Sequence, residues 1–420
     1  MKRISLFLIG CLTLWAASAQ EATQPTLEQL GSIYYAYPTP SGHLTSAPAG
    51  YTPCYISHYG RHGSRWLTAD SRYSVLIQLF DSLSTLGQLT PLGEDVRQRL
   101  YRVWEDAQGC SGNITPLGEQ QHRQIADRMY RRFPQVFSGR AVVDARSSTS
   151  VRCALSMSYF TERLKEYNPS LQVSRRPYAR YMSYIAYTSP EGEAFSSEQA
   201  EWRKGAFHDF EMRQVRPARL LASLFTRPEG FNERQADDLA RSFYWLAADM
   251  QNVSLPGMSF YDLFTYEELR GIWLTVNARM YVCNANAPQA GGVMTRCAVP
   301  LLRNIIESAE ASLAQPDQPA AHLRFGHDTH LIRLLALTEV EGCAVPETDM
   351  DRFHLAWQDY RVSPMAANLQ LIFFRHAERP DDLLVLLLHN EEEARLPIPS
   401  YQGPYYRWKD VKQFWEAKCK

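Results

Sequence analysis

The sequence predicts an α/β fold: a mixed, mainly parallel sheet flanked by helices, with a second, largely α-helical cap. Three observations lead there. A short apolar segment runs into a polar, charged loop and then into a helix three times, at 54–57, 140–145 and 322–325. Residues 199–285 instead carry many Arg, Glu and Leu and few strand signals, so they read as helix almost throughout. Near the C-terminus, two strongly apolar segments at 368–374 and 383–388 flank Pro380-Asp381-Asp382 and read as a hairpin. The α/β core is therefore expected to be discontinuous, from 20–169 and 298–420, with 170–297 inserted as the cap.

Each element has a local cause. Residues 1–19 read as a signal peptide: Lys2 and Arg3, an apolar run from Ile4 to Leu14, then Ala17-Ser18-Ala19 as a small-residue cleavage signal. Export to the periplasm or the extracellular space is the expectation. Leu8-Ile9-Gly10-Cys11 also has the form of a lipoprotein box, though the apolar run before that cysteine is short. Residues 20–53, rich in Pro, Thr, Ser and Tyr, read as an irregular arm. The helix over 70–86 has Val75, Leu76, Leu79, Leu83 and Leu86 at helical spacing and Gly87 as its stop. Thr90-Pro91-Leu92-Gly93-Glu94 and Thr115-Pro116-Leu117-Gly118-Glu119 each open a helix, with threonine as N-cap, proline in the first turn and glutamate near the positive end of the dipole. The second of these helices ends at Pro134. Asn168-Pro169 stops the helix over 151–167. A helix over 298–313, a turn at 316–319 and a short amphipathic helix over 410–418 complete the chain.

Composition narrows the function. Hydrophobic residues at 45% and charged residues at 21% describe an ordinary globular protein. A formal net charge of -1 supplies no overall field for nucleic acid or membrane, so any anion site must be local. No segment after the leader is long and apolar enough to span a bilayer. Beyond Cys11, an odd set of cysteines remains: Cys54, Cys110, Cys153, Cys283, Cys297, Cys343 and Cys419. Cys283 and Cys297 flank a Gly-Gly loop and are the expected local disulfide.

The three strand ends carry the chemistry. They present Arg61-His62-Gly63-Ser64-Arg65, then Arg146, then Gly326-His327-Asp328. Ligands of open α/β sheets sit beyond the carboxyl ends of the strands. Arginines crowded around a histidine repel one another unless an anion sits among them. Phosphoryl transfer needs a nucleophile, positioning and charge at the equatorial oxygens, and the arginine fork supplies that charge. Neighbouring guanidiniums disfavour imidazolium, which keeps His62 in its attacking form. Asp328 is the candidate proton donor to the leaving alkoxide.

Those motifs, in that order, resemble the histidine acid phosphatase family, which includes phytases. Thr115-Pro116-Leu117-Gly118 with Gln121, and Pro364 to Leu369, add to the likeness. The resemblance implies an α/β domain with a helical domain and the site between them. It implies a phosphohistidine at His62, phosphate binding by Arg61, Arg65, Arg146 and His327, and proton donation by Asp328. It implies neither cofactor nor metal. Where the family usually carries a proline two residues after the second arginine, this chain has Leu67. The inositol polyphosphate phosphatase branch uses His-Ala-Glu in place of His-Asp, and His376-Ala377-Glu378 is also present. His376 falls at a hairpin turn and His327 at a strand end, so His327-Asp328 is the expected donor pair.

Asp328 could cap the helix it opens. Arg175, Arg176 and Arg180 read as a solvated charged face, with contact to outer phosphates as the alternative. His58 reads as structural, because no helix or glutamate accompanies it as in a zinc protease. The expected function is an exported phosphomonoesterase acting on a small-molecule phosphate monoester, with inositol polyphosphates leading. A broad acid phosphatase, and a phosphate-binding protein without turnover, are the alternatives.

Overall fold

The computed structural model describes residues 24–420 except position 316. The leader at 1–19, with Cys11, lies outside the described residues, as does the first residue of the 316–319 turn.

One mixed sheet organises the chain. Its strands are β1 (Tyr51–Arg61), β2 (Val142–Ser147), β3 (Gln172–Arg176), β4 (Ala321–Gly326), β5 (Asn368–His376), β6 (Leu383–His389), β7 (Glu392–Glu393) and β8 (Tyr405–Arg407). The order is β3-β2-β4-β1-β5-β6-β7, with β8 also paired to β6. The first four are mutually parallel, and β5 onward run antiparallel. Strand β1 is the seam between the halves. Its last seven residues are buried, as expected of a strand covered on both faces.

Register brings the strand ends level. Gly60 pairs with Phe325, and Phe325 with Ser147, so β1, β4 and β2 run out together. The His62 N–H donates to Gly326 O at 3.0 Å, and the Ser148 N–H to Phe325 O at 3.0 Å. The loops after all three strands thus begin in one row.

The helices include α1 (Ser71–Thr85), α2 (Pro91–Ala107), α3 (Pro116–Arg132), α4 (Val151–Tyr167), α5 (Ala218–Leu224), α6 (Glu233–Asp249), α7 (Tyr266–Asn284), α8 (Val299–Ala314), α9 (Asp328–Leu337) and α10 (Trp408–Lys418). Thr90 and Thr115 cap α2 and α3 as the sequence suggests, each hydroxyl accepting from the glycine N–H three residues on. Helices α3 and α4 cover one sheet face, where Ile125, Met129, Met157 and Phe160 meet Ile56, Val143, Leu323 and Phe325. The larger core lies on the other face and joins Tyr55 and Tyr59 to Leu302 and Ile305 of α8 and to Phe243 and Tyr244 of α6.

Several expectations are corrected. Residues 172–176, assigned to the cap, form the edge strand β3 paired to β2. Only Val173 is aliphatic there, and an edge strand needs little apolar surface. Helices α1 and α2, assigned to the α/β core, pack with the helical insertion instead. Leu89 bridges Phe225, and the Thr90 N–H donates to Leu224 O at 3.0 Å. The face of α1 is the expected one only in part: Leu76 is buried and Leu79 and Leu83 pack against the core, but Val75 and Leu86 are exposed and Tyr73, Ile77 and Phe80 are buried in their place. No disulfide forms among the described residues. Cys297 is directed at Ser189 and Gly192 rather than at Cys283 on α7.

One contact fixes where α3 meets the loop after β1. A methyl group at Gly118 would stand 2.2 Å from Ser64 O and 2.8 Å from Ser64 N, both backbone atoms. Gly118→Ala is expected to lower stability by roughly 1–3 kcal/mol through overpacking. Gly230→Ala, in open space, should leave stability unchanged or slightly raised. Equilibrium denaturation of both variants checks the difference, and equal effects would contradict the packing assigned to Gly118.

Candidate active site

The row of strand ends gathers an unusual density of buried charge. Arg61 closes β1 with its side chain fully buried, and its Nη1 donates to the carbonyls of Ile33 (2.6 Å) and Ser363 (2.7 Å). Its Nη2 lies 3.3 Å from Asp328 Oδ2. Burial lowers the Arg61 pKa to about 10, with Asp328 opposing and Arg65 and Arg152 assisting, so the guanidinium stays charged.

His62 is 2% exposed. Its Nδ1 lies 2.9 Å from Gly63 O. A carbonyl only accepts, so Nδ1 carries the proton and Nε2 keeps its lone pair. Burial, then Arg61, Arg65, His327 and Arg152, hold the imidazole well below the ordinary histidine range. The ring faces His327, with centroids 5.6 Å apart in an edge-on arrangement.

Arg65 is held from the side. Its Nη1 donates to Tyr34 Oη and Trp66 O, both at 2.9 Å, and the guanidinium stacks over the Tyr34 ring at 4.7 Å. The turn between His62 and Arg65 is fixed through Ser64. The Ser64 N–H donates to Gln121 Oε1 (2.8 Å), Gln121 Nε2 donates to Ser64 Oγ (2.9 Å), and that hydroxyl donates to Asn252 Oδ1 (2.7 Å).

His327 and Asp328 enter from β4 at the start of α9. His327 Nε2 lies 3.2 Å from Ser148 Oγ in the loop after β2. Burial and then Arg152 lower its pKa to about 4, against the pull of Asp328. Asp328 Oδ1 accepts the Thr329 N–H at 2.8 Å, so the carboxyl also serves the helix start. Burial favours its neutral form, but Arg61, His327 and the Thr329 N–H outweigh this and hold it below the usual carboxylate range.

Arg146 does not join this group. It shares a strand face with Asp144, and its Nε (3.1 Å) and Nη2 (2.6 Å) both donate to Asp144 Oδ2. Its Nη1 donates to Tyr184 Oη at 2.8 Å. The side chain therefore turns onto the α8 face beside Arg324, its partner in register. The guanidinium near His62 that the sequence reading missed is Arg152, in the first turn of α4, whose charge acts on His62 and His327 and which in turn feels the charge of Asp328. A signal existed. Residues two apart on a strand share a face, so Asp144 was placed to take Arg146.

His376-Ala377-Glu378 is far away. His376 pairs with Tyr51 at the start of β1, ten residues before Arg61, which puts it about 33 Å along the strand from the His62 end. His58 packs between Phe160 and Phe325 as a core residue.

A family model described as histidine phosphatase superfamily (branch 2) matches residues 60–390. No curated protein matches by sequence. Among solved structures, the multiple inositol polyphosphate phosphatase of Bifidobacterium longum in complex with phosphate superposes with a TM-score of 0.79 at 19% identity, covering 93% of this chain and 98% of that one. Its complex with inositol hexasulfate gives 0.77 at 18% identity, with 91% and 97% covered. The phytase of D. castellii gives 0.64 at 16% identity, with 96% and 89% covered.

The burial and charge around His62 make a direct prediction. Its ring should stay neutral as pH falls through ~6.5, where a free imidazole takes its proton. An NMR pH titration of the ring protons checks this, and a midpoint at or above that value would contradict the site electrostatics.

Proposed function

The chain belongs to branch 2 of the histidine phosphatase superfamily, which makes it a phosphomonoesterase, and we propose that it passes the phosphoryl group first to His62 and then to water. The observation that carries this reading is the buried His62, with Nε2 free and Arg61, Arg65, Arg152 and His327 around it. The Nε2 lone pair attacks phosphorus while the ester P–O bond breaks. The departing alkoxide takes the Asp328 proton. Positive charge builds on the imidazole and is shared through Nδ1–H with Gly63 O. In the second half, water attacks phosphorus and gives its proton to Asp328, and the P–N bond returns its electrons to Nε2. Arg61, Arg65 and Arg152 hold the equatorial oxygens throughout.

Asp328 needs a proton that it lacks in the free protein. An anion between the arginines answers this. It draws on the Arg61 charge that keeps Asp328 ionised, and its own charge disfavours a second carboxylate. Proton uptake is thereby tied to substrate binding.

Inositol polyphosphates are the substrate class we favour. A structural neighbour was crystallised with inositol hexasulfate. The Ala179–Ile185 segment overlies the strand ends, since Tyr59 Oη donates to Ile185 O at 2.9 Å and Thr149 meets Met182. The basic Arg180 on that segment gives a polyanion a second contact. The leader at 1–19 supports work outside the cytoplasm, in the periplasm or beyond the cell.

His62→Ala should abolish hydrolysis of both p-nitrophenyl phosphate and inositol hexakisphosphate. Arg152→Ala should cost roughly 100-fold in kcat/KM, whereas Arg146→Ala should cost far less. Steady-state kinetics decides, and the reverse ranking would restore Arg146 to the clamp. Asp328→Asn should slow the inositol ester by roughly 100- to 10,000-fold and the p-nitrophenyl ester much less, because only the first leaves as a poor alkoxide. If Glu378→Gln does this instead, the donor is misassigned. Absence of phosphate release from inositol hexakisphosphate by the unaltered enzyme would overturn the substrate class.

A further inference from the structure

The mechanism leaves unused one buried acid that stands behind the arginine cluster. Asp249 ends α6 with no exposure to solvent. Its Oδ2 accepts the Leu67 N–H at 3.2 Å and the Tyr73 O–H at 3.1 Å. Its Oδ1 is buried and has no hydrogen-bond partner among the described residues. Leu67 is two residues beyond Arg65, so the carboxyl grips the back of the turn whose front carries the guanidinium. Arg65 is meanwhile kept at the front by Tyr34 and Trp66 O.

We propose that Asp249 is a positioning residue that sets the charge Arg65 offers: ionised, it draws on Arg65 from behind, and protonated, it leaves that charge to the anion in front. This rests on reading the arginine cluster as a phosphate site. The groups that face Asp249 are few. Arg65 attracts its charge from the loop, Tyr73 donates from α1, and Asp106 of α2, which accepts from Trp66 Nε1 at 2.7 Å, repels it. Tyr261 lies within the reach of its charge. Burial moves the Asp249 pKa up to about 7, against Arg65 and the two hydrogen bonds. The acid therefore changes charge near neutrality, where His62 and His327 are already neutral and Asp328 is already ionised.

Sulfate tests this, because its charge is constant across that range while phosphate titrates within it. Calorimetry on the full chain should show sulfate bound roughly tenfold tighter at mildly acidic than at mildly alkaline pH. Asp249→Asn keeps an acceptor for Leu67 and Tyr73 and removes the charge. It should bind sulfate tightly at both pH values. Tyr73→Phe removes a hydrogen bond that favours the carboxylate, so it should move the transition to higher pH. An Asp249→Asn protein with the wild-type pH dependence, or with weaker binding than wild type at alkaline pH, overturns the proposal. Should that variant fail to fold, a Tyr73→Phe transition that stays in place or moves down in pH overturns it equally. Wild-type binding that is tight but independent of pH sinks this inference alone. No sulfate binding at any pH sinks the anion site with it.

Discussion

A guanidinium buried at the end of the central strand is the constraint on which the rest depends. Arg61 has no solvent to satisfy it. Burying such a charge costs several kcal/mol unless partners replace the water. The partners come from three places far apart in sequence: Ile33 from the N-terminal arm, Ser363 from the segment before β5, and Asp328 from the start of α9. Each hydrogen bond to a charged donor returns roughly 1.5–3 kcal/mol. That need explains an otherwise irregular arm. Residues 29–35 lie against 363–367, where the Met365 N–H donates to Tyr35 O (2.8 Å), and the Ala366 N–H in turn reaches His62 O (3.0 Å). The loop that carries His62 is held by the same segments of chain that satisfy Arg61.

From this follows the protonation pattern of the site. Charge that cannot escape to water acts strongly on whatever titrates nearby. Both histidines are pressed toward the neutral form and Asp328 toward the ionised form. In the proposed reaction, this sets the free site for attack by His62 and leaves Asp328 without the proton that departure requires. A bound anion would reverse that second condition. On that proposal, the electrostatics that keep His62 neutral also make Asp328 depend on a bound anion for its proton, so one arrangement governs both halves of the reaction.

Much of this was legible in the sequence because it is local. Strand, loop and helix follow one another within a few dozen residues at His62 and at His327, and Thr90 and Thr115 announce their helices by short-range capping. What failed was non-local or concerned direction. Arg146 sits at the expected strand end, but its side chain follows Asp144, and the guanidinium whose charge reaches His62 is six residues on, in α4. The edge strand β3 has almost no apolar signature because one of its sides faces solvent. Tyr34, Asn252 and Asp249 gave no signal, since each looks like an ordinary polar residue until the fold brings it beneath the loop. The membership of α1 and α2 in the helical layer depends on what packs against them, and an apolar stripe does not name its partner.

Ser64 shows why the site lies at the junction of the two layers. Its backbone N–H and hydroxyl meet Gln121 from a helix on the sheet, and its hydroxyl also meets Asn252 from just beyond α6. Asn252 Nδ2 then donates to Tyr34 O (2.8 Å), and Tyr34 holds Arg65. The sheet therefore holds His62 and Asp328, while the helical layer reaches Arg65 through Asn252 and Tyr34.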